Sequence, residues 1–382
     1  MNDRPLSILL AGDYPPDPTL GSPKVFFKLK SELEDMGHRC EMLLAPEIGG
    51  PSSRHVRQLL TPWLAGRAVM RRIDAVGFDV VDAASAEGLA FGLARRIGRY
   101  RSTAFVCRSN GLEQLNYQRM LGDASDGLVK KPWTRRVWYP VSRLSQVAAA
   151  ARVADRLLLL NEGDRRYALD RGWQSEDRID LVPHGVAAEF LATDPGDEAP
   201  RGRGLLFCGS WDAVKGVPYL VKAFEQLHAS DSSRTLTVLG PGVPASMVVE
   251  AFDARVRSSI RVIDRAPEDL VRRAYAEHDV LLWPSTYEGF GLVLIEAMSQ
   301  RMAVVATPVG CARSLIRDGV NGVIVPPRDP AALAGAASRL MADPPTRRRL
   351  GAAARSTVAG MSWRACAEQT IRCYRRAIEE RR

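Results

Sequence analysis

No Asp-x-Asp triplet occurs anywhere in the 382 residues, no Cys-x-x-Cys pair occurs among the six cysteines, and histidines number five. The first absence removes the usual carboxylate pair for a diphosphate-bound cation, so no metal and no cofactor are expected. The second argues against a zinc site and a disulfide framework. Cys40, Cys107, Cys208, Cys311, Cys366 and Cys373 are scattered, as reduced cytoplasmic thiols would be. Long apolar runs are missing as well. The most membrane-like stretch, residues 147–160, is broken by Arg152, Asp155 and Arg156 and falls short of the roughly 20 apolar residues that a spanning helix needs. The opening MNDRPLSILLAGDYPPD has one short apolar run before Gly12 and Asp13, without the length or cleavage pattern of an export signal, so a cytoplasmic location is expected. No recognised nucleic-acid-binding motif appears, and nucleic acid is not expected as a partner.

What is present is ordinary globular material. A hydrophobic fraction of 46% with 25% charged residues excludes a largely disordered chain, and the length points to two domains of about 150 to 200 residues each. The net charge of +9 is uneven: the first 200 residues hold 27 Lys and Arg against 26 Asp and Glu, so the excess lies in the second half. A phosphate-bearing small ligand there suits that asymmetry.

Short β-rich runs alternate with helical patterns, the rhythm of an α/β fold with parallel sheets. The runs expected as strands are LSILLA (6–11), CEMLL (40–44), FDVVDA (78–83), TAFVC (103–107), RLLLL (156–160) and IDLVP (179–183). In residues 25–36 the apolar Val25, Phe26, Leu29, Leu33 and Met36 fall on one helical face, and Gly37 supplies the stop. LATDPGDEAPRGRG (191–204) then breaks all periodicity. The rhythm restarts with LLFCG (205–209), LTVLG (236–240), IRVID (260–264), DVLLWPS (279–285), AVVATP (303–308) and GVIVPP (322–327). Two Rossmann-like doubly wound domains are therefore expected, at 1–198 and 199–361, followed by a C-terminal helix at 362–382 whose apolar stripe (Trp363, Cys366, Ile371, Tyr374, Ile378) needs a surface to cover. Ligands of such sheets bind outside the strand carboxyl ends, which predicts an active site in a cleft between the domains.

Two segments carry chemistry. Glu288-Gly289-Phe290-Gly291-Leu292, continuing to Glu296, follows a predicted strand and opens a helix, an arrangement suited to an anion: the glycines allow close backbone approach and the helix dipole favours phosphate. Glu288 can accept sugar hydroxyls, and Glu296 can take two vicinal ribose hydroxyls; the bland alternative is a solvated helix start. The second segment, Cys208-Gly209-Ser210 through Lys215-Gly216-Val217-Pro218, follows the first strand of the second half and brings an ammonium that can neutralise a diphosphate, unless Lys215 is a plain surface lysine.

Together these residues resemble the family 4 glycosyltransferases of the GT-B fold, whose signature is a glutamate pair separated by seven residues. The resemblance covers nearly the whole chain through WPSTYEGFGLVLIEAMSQRMAVVATPVG (283–310), the lysine-glycine loop, PHGV (183–186), GHRCEMLL (37–44), and Gly21-Ser22 where the family has a Gly-rich donor-facing loop. It implies a retaining, metal-independent hexosyltransferase that uses a nucleotide sugar. Glu288 would contact the transferred sugar, the backbone of 289–291 the distal phosphate, Glu296 the ribose and Lys215 the diphosphate, with backbone at 263–266 reading the base. The first domain would bind the acceptor, the second the donor, and the last helix would return to the first domain. Two positions depart from the pattern. Ser210 stands where the family commonly has Arg, with Arg265 and Arg313 as candidate replacements, and Asn110 stands where the family carries a histidine near the sugar. Asn110 orients but cannot titrate. These departures keep alive an alternative, a nucleotide-sugar- or glycan-binding protein impaired in turnover; an epimerase or phosphorylase on the same fold is a third reading.

His38 and His55 read as structural or exposed, and His184 as adjoining the domain-facing PHGV turn, where contact with substrate is the lesser of two readings. The segment KKPWTRRVWYPVSRLSQ (130–146) interleaves basic residues with Trp133, Trp138 and Tyr139. It suits either the surface of an anionic membrane or packing into the first domain, and a glycan or lipid-linked acceptor fits the former.

Overall fold

The structure, a computed structural model, describes residues 4–125, 127, 133–196 and 202–380. The chain forms two compact units, one of Met1–His184 with Trp363–Arg382, the other of Gly185–Ser362.

In the first unit, β1 (Ser7–Ala11), β2 (Arg39–Leu43), β3 (Val80–Ala84), β4 (Ala104–Arg108), β5 (Arg156–Leu159) and β6 (Ile179–Leu181) form one parallel sheet in the order β2-β1-β3-β4-β5-β6. The central strands β3 and β4 are buried along their whole length, which is why they read as near-continuous apolar runs. Two charges interrupt those runs and meet across the sheet: Arg108 Nη2 lies 2.6 Å from Asp82 Oδ2, both side chains wholly buried. Tyr374, on the helix Trp363–Glu379, donates to the same Asp82 oxygen at 2.5 Å. That helix packs on β4, β5 and the helix Gly21–Asp35.

The second unit repeats the plan with β7 (Leu205–Cys208), β8 (Leu236–Leu239), β9 (Ile260–Ile263), β10 (Val280–Trp283), β11 (Ala303–Ala306) and β12 (Val323–Ile324) in the order β12-β11-β10-β7-β8-β9, again all parallel. Its first residues are earlier than the break in periodicity indicates. The division falls between His184 and Gly185 rather than at 198, because Phe190 is buried against Tyr275 and its carbonyl accepts from Gln300, both in the second unit. The second crossing falls between Ser362 and Trp363, one residue later than the sequence suggested. Among the described residues no helix is long and apolar enough to cross a membrane.

In each sheet the strand order reverses once: between β1 and β3 in the first, and between β7 and β10 in the second. Loops leaving the carboxyl ends of two such strands diverge, so a crevice opens between them.

Candidate functional site

At the reversal of the second sheet, two loops are held together by backbone. After β7 the chain passes Gly209 and Ser210 to a short turn, Ala213–Lys215; after β10 it passes Pro284 and Ser285 to Glu288 and enters the helix Leu292–Ser299. Thr286 donates to the Val214 carbonyl through its N–H at 2.8 Å and its hydroxyl at 3.2 Å. Gly216 permits this closeness. Its φ is +76°, and a Cβ there would lie 2.0 Å from the Pro284 carbonyl oxygen, so only glycine fits. The loops deliver Lys215 Nζ to 2.7 Å from Glu288 Oε1, which also accepts from Ser285 Oγ at 2.8 Å. Lys215 is the more open partner, 29% exposed against 10% for Glu288.

Beyond this pair, Gly291 turns the chain into its helix at φ +109°, where a Cβ would press to 2.7 Å from the Trp283 ring. The N-cap of that helix, Gly291, has no side chain to cap it and no first-turn residue is acidic, so the helix start suits an anion. Glu296 lies further along, buried, accepting from the Tyr275 hydroxyl at 3.3 Å. Burial pushes that hydroxyl well above its ordinary value, so Tyr275 stays a donor.

At the reversal of the first sheet lies a pocket of about 430 Å³. Asp13 and Tyr14 enter it after β1, Ser85 and Glu87 after β3, Asn110 and Gly111 after β4. The helices Gly21–Asp35 and Arg54–Val76 add Ser22 and Arg57, and the turn Pro140–Leu144 adds Arg143. Arg57 holds Asp13 through two bonds, 2.5 and 3.2 Å. Arg143 grips Glu113 at 2.8 to 3.0 Å and reaches Glu87 Oε1 at 3.1 Å. Glu113 is saturated, since Ser85 and Tyr139 also donate to it at 2.6 and 2.7 Å. Burial alone would raise its carboxyl, but Arg143 and these donors hold it below the ordinary value. For Glu87 burial prevails over Arg143, and its carboxyl is raised.

Of the residues expected from sequence, Lys215 and Glu288 are brought into contact, and Ser22 shares the first unit's pocket with Asn110, whose Nδ2 donates to the Tyr14 hydroxyl at 3.2 Å. Gly21 is not in a loop: it begins a helix expected only from 25, because Pro23 suits a first turn whose N–H groups need no helical partner. The Gly209 N–H is committed to Leu239 O at 3.0 Å and is not an amide for phosphate; Ser210 is exposed. Arg313 is exposed with Nε donating to Pro308 O at 3.3 Å. His184 is 3% exposed, stacked on Trp363, and burial pushes its pKa down to about 3. His38 accepts the Leu6 N–H in the core and His55 is exposed. Residues 130–132 of the aromatic-basic segment lie outside the described residues; Tyr139 turns inward to Glu113, whereas Val137, Trp138 and Val141 face outward. Sequence reasoning missed Tyr275, Glu87, Glu113, Arg57 and Arg143. For Glu87 a signal existed, a carboxylate just past the end of a predicted strand.

Two doubly wound parallel sheets, each with polar groups gathered where its strand order reverses, are the GT-B glycosyltransferase architecture. Sucrose-phosphate synthase from Thermosynechococcus elongatus has the same fold, with a TM-score of 0.77 at 20% identity over 97% of this chain and 98% of that one. HepE of Anabaena, solved with UDP, gives 0.70 at 15% identity over 96% and 99%. Residues 202–343 match the family described as Glycosyl transferases group 1, and D-inositol 3-phosphate glycosyltransferase of Frankia alni is 31% identical over 352 residues, 86% of this chain and 83% of that protein. The chain belongs to this family of group 1, family 4-like glycosyltransferases.

Proposed function

We propose that the protein transfers a hexosyl group from a nucleoside diphosphate sugar, with retention of anomeric configuration and without a metal, to a hydroxyl of a glycan, lipid-linked or small-molecule acceptor. The observation that carries this is the Lys215–Glu288 contact beside the uncapped helix at the reversal of the second sheet. Lys215 is already oriented by Glu288, so its ammonium stabilises the departing diphosphate with little reorganisation as charge grows in an oxocarbenium-like transition state. Glu288 Oε1 serves Lys215 and Ser285, and the second oxygen accepts a hydroxyl of the transferred sugar. Glu296, steadied by Tyr275, accepts the ribose. The leaving phosphate oxygen takes the acceptor's proton from the same face. The UDP with which HepE was solved supports a nucleoside diphosphate donor, and the relatives' name makes inositol phosphates the first acceptors to compare.

Thermal shift and nucleotide release with UDP-, GDP- and ADP-sugars in EDTA test the donor site. One donor is expected to raise the melting temperature, since a ligand of the native state stabilises it, and Lys215→Ala and Glu288→Ala are expected to abolish both responses. Silence towards every donor would remove the assignment. A second reading, binding without turnover, is favoured by Asn110, which cannot titrate, and by the uncharged Ser210; it predicts stabilisation with no nucleotide released in the presence of any acceptor.

We also propose that the enzyme works in the cytoplasm, peripherally on an anionic membrane. Supporting this, Val56, Leu59, Leu60 and Trp63 form an exposed stripe on the helix Arg54–Val76, and Val137, Trp138 and Val141 are exposed beside Arg135 and Arg136. Failure to co-sediment with anionic liposomes at low salt would refute it.

A further inference from the structure

The relatives are named for a phosphorylated acceptor, yet the pocket of the first unit is poorly built for one. Among the described residues of its wall there are three carboxylates, Asp13, Glu87 and Glu113, and two guanidiniums, Arg57 and Arg143. Each guanidinium is already engaged, Arg57 by both oxygens of Asp13 and Arg143 by Glu113 and Glu87. A phosphate entering here meets arginines whose Nε and Nη2 donors already point at carboxylates and a wall with an excess of negative charge, and breaking the largely buried Arg143–Glu87 pair to release a donor leaves the Glu87 carboxylate uncompensated.

The same wall asks for the opposite kind of ligand. Glu87 is 4% exposed, and its Oε2 has no hydrogen-bond partner; Asn110 Oδ1 is likewise buried without one. Buried oxygens of this kind are normally satisfied, and what satisfies an acceptor is a donor, which a sugar or cyclitol hydroxyl supplies and a phosphate dianion does not.

Resting on the proposed transferase function, we propose that this pocket binds an uncharged polyol as acceptor, discriminates against its phosphate ester, and uses Glu87 as the specificity-determining hydrogen-bond acceptor. Asp13 and Glu113 set the discrimination by keeping the two arginines occupied.

The test is binding of matched pairs to the full chain by saturation-transfer NMR and competition: myo-inositol against inositol 3-phosphate, glucose against glucose 6-phosphate, and sucrose against sucrose 6-phosphate. At least one neutral member is expected to bind about tenfold or more tightly than its ester. Glu87→Gln, which puts a donor where the acceptor oxygen was, is expected to weaken the neutral ligand by about tenfold, and Asp13→Asn, which frees Arg57, is expected to strengthen the ester. Preference for the esters, absence of binding by every neutral member, or indifference of both ligands to both variants would overturn the proposal. Circular dichroism confirms that the variants fold. Donor-induced stabilisation of the same samples separates the two readings, because a protein that binds a nucleotide sugar but no neutral polyol loses only the acceptor assignment.

Discussion

At the scale of single residues, two buried titratable groups load the protein in opposite pH windows. Asp164, 2% exposed at the start of the helix Glu162–Asp170, has its carboxyl raised by burial to about 7, against the opposing bonds of Asn161 and the Leu112 amide. A native state that holds this proton more tightly than the unfolded chain draws full stability from it below the ordinary 3.8 and loses that stability as pH rises through about 7. Asp164→Asn is therefore expected to raise the melting temperature above pH 7, by the equivalent of about 4 kcal/mol, and to change little near pH 4. Melts at the two pH values check it, and an equal shift at both would sink the idea. His184 works the other way: its stability is present above the ordinary 6.5 and lost as pH falls towards about 3. His184→Phe, which preserves the stack on Trp363, is expected to flatten the acid limb.

At the scale of elements, the paired loops of the second unit depend on one backbone position. Gly216→Ala forces a Cβ into the Pro284 carbonyl and strains a left-handed φ, so it is expected to cost about 1–3 kcal/mol and to abolish donor-induced stabilisation. Gly21→Ala is the contrasting case. Nothing lies within 4 Å of its Cβ and its backbone is helical, so a gain of about 0.4–1 kcal/mol is expected. Urea titration of both variants distinguishes them, and a large loss at Gly21 would return it to the role of a ligand-facing loop. The strands were legible because strands buried on both faces write themselves as apolar runs, VLLW and AFV among them. The start of the first helix was not, because its first turn is specified by Pro23 rather than by periodicity. Lys215 and Glu288 were each legible from the local chemistry of a strand-to-helix loop. Their contact was not, since the two lie 73 positions apart, and separations of 56 and 30 positions likewise hid the Arg143 grip on Glu87 and Glu113.

At the scale of the molecule, the buried Asp82–Arg108–Tyr374 contact binds the end of the chain into the first unit. Tyr374→Phe removes a donor from a buried carboxylate, an expected loss of about 1.5–3 kcal/mol. Calorimetry should place that loss in the transition of the first unit and leave the second unit's transition, and its donor-induced shift, unchanged; an equal fall in both would show that the units unfold as one. Arg156 extends the same tie by bonding Asp180 and Glu380, and Arg376 also bonds Asp180. None of these partners was evident from composition, because an arginine in a strand reads as an interruption until its carboxylate is known.

The division of the first unit into two stretches of chain also orders events during synthesis. The strands of its sheet leave the ribosome before the second unit, but the helix that covers β4 and β5 and supplies Tyr374 leaves only after every residue of the second unit. The second unit is an uninterrupted stretch and can close as soon as it is made, whereas the earlier-born half must wait with an apolar face and a buried-type ion pair uncovered. In a growing chain the second unit is therefore complete before the unit that was begun first, and the interval between the two is the period in which this protein is most exposed to aggregation.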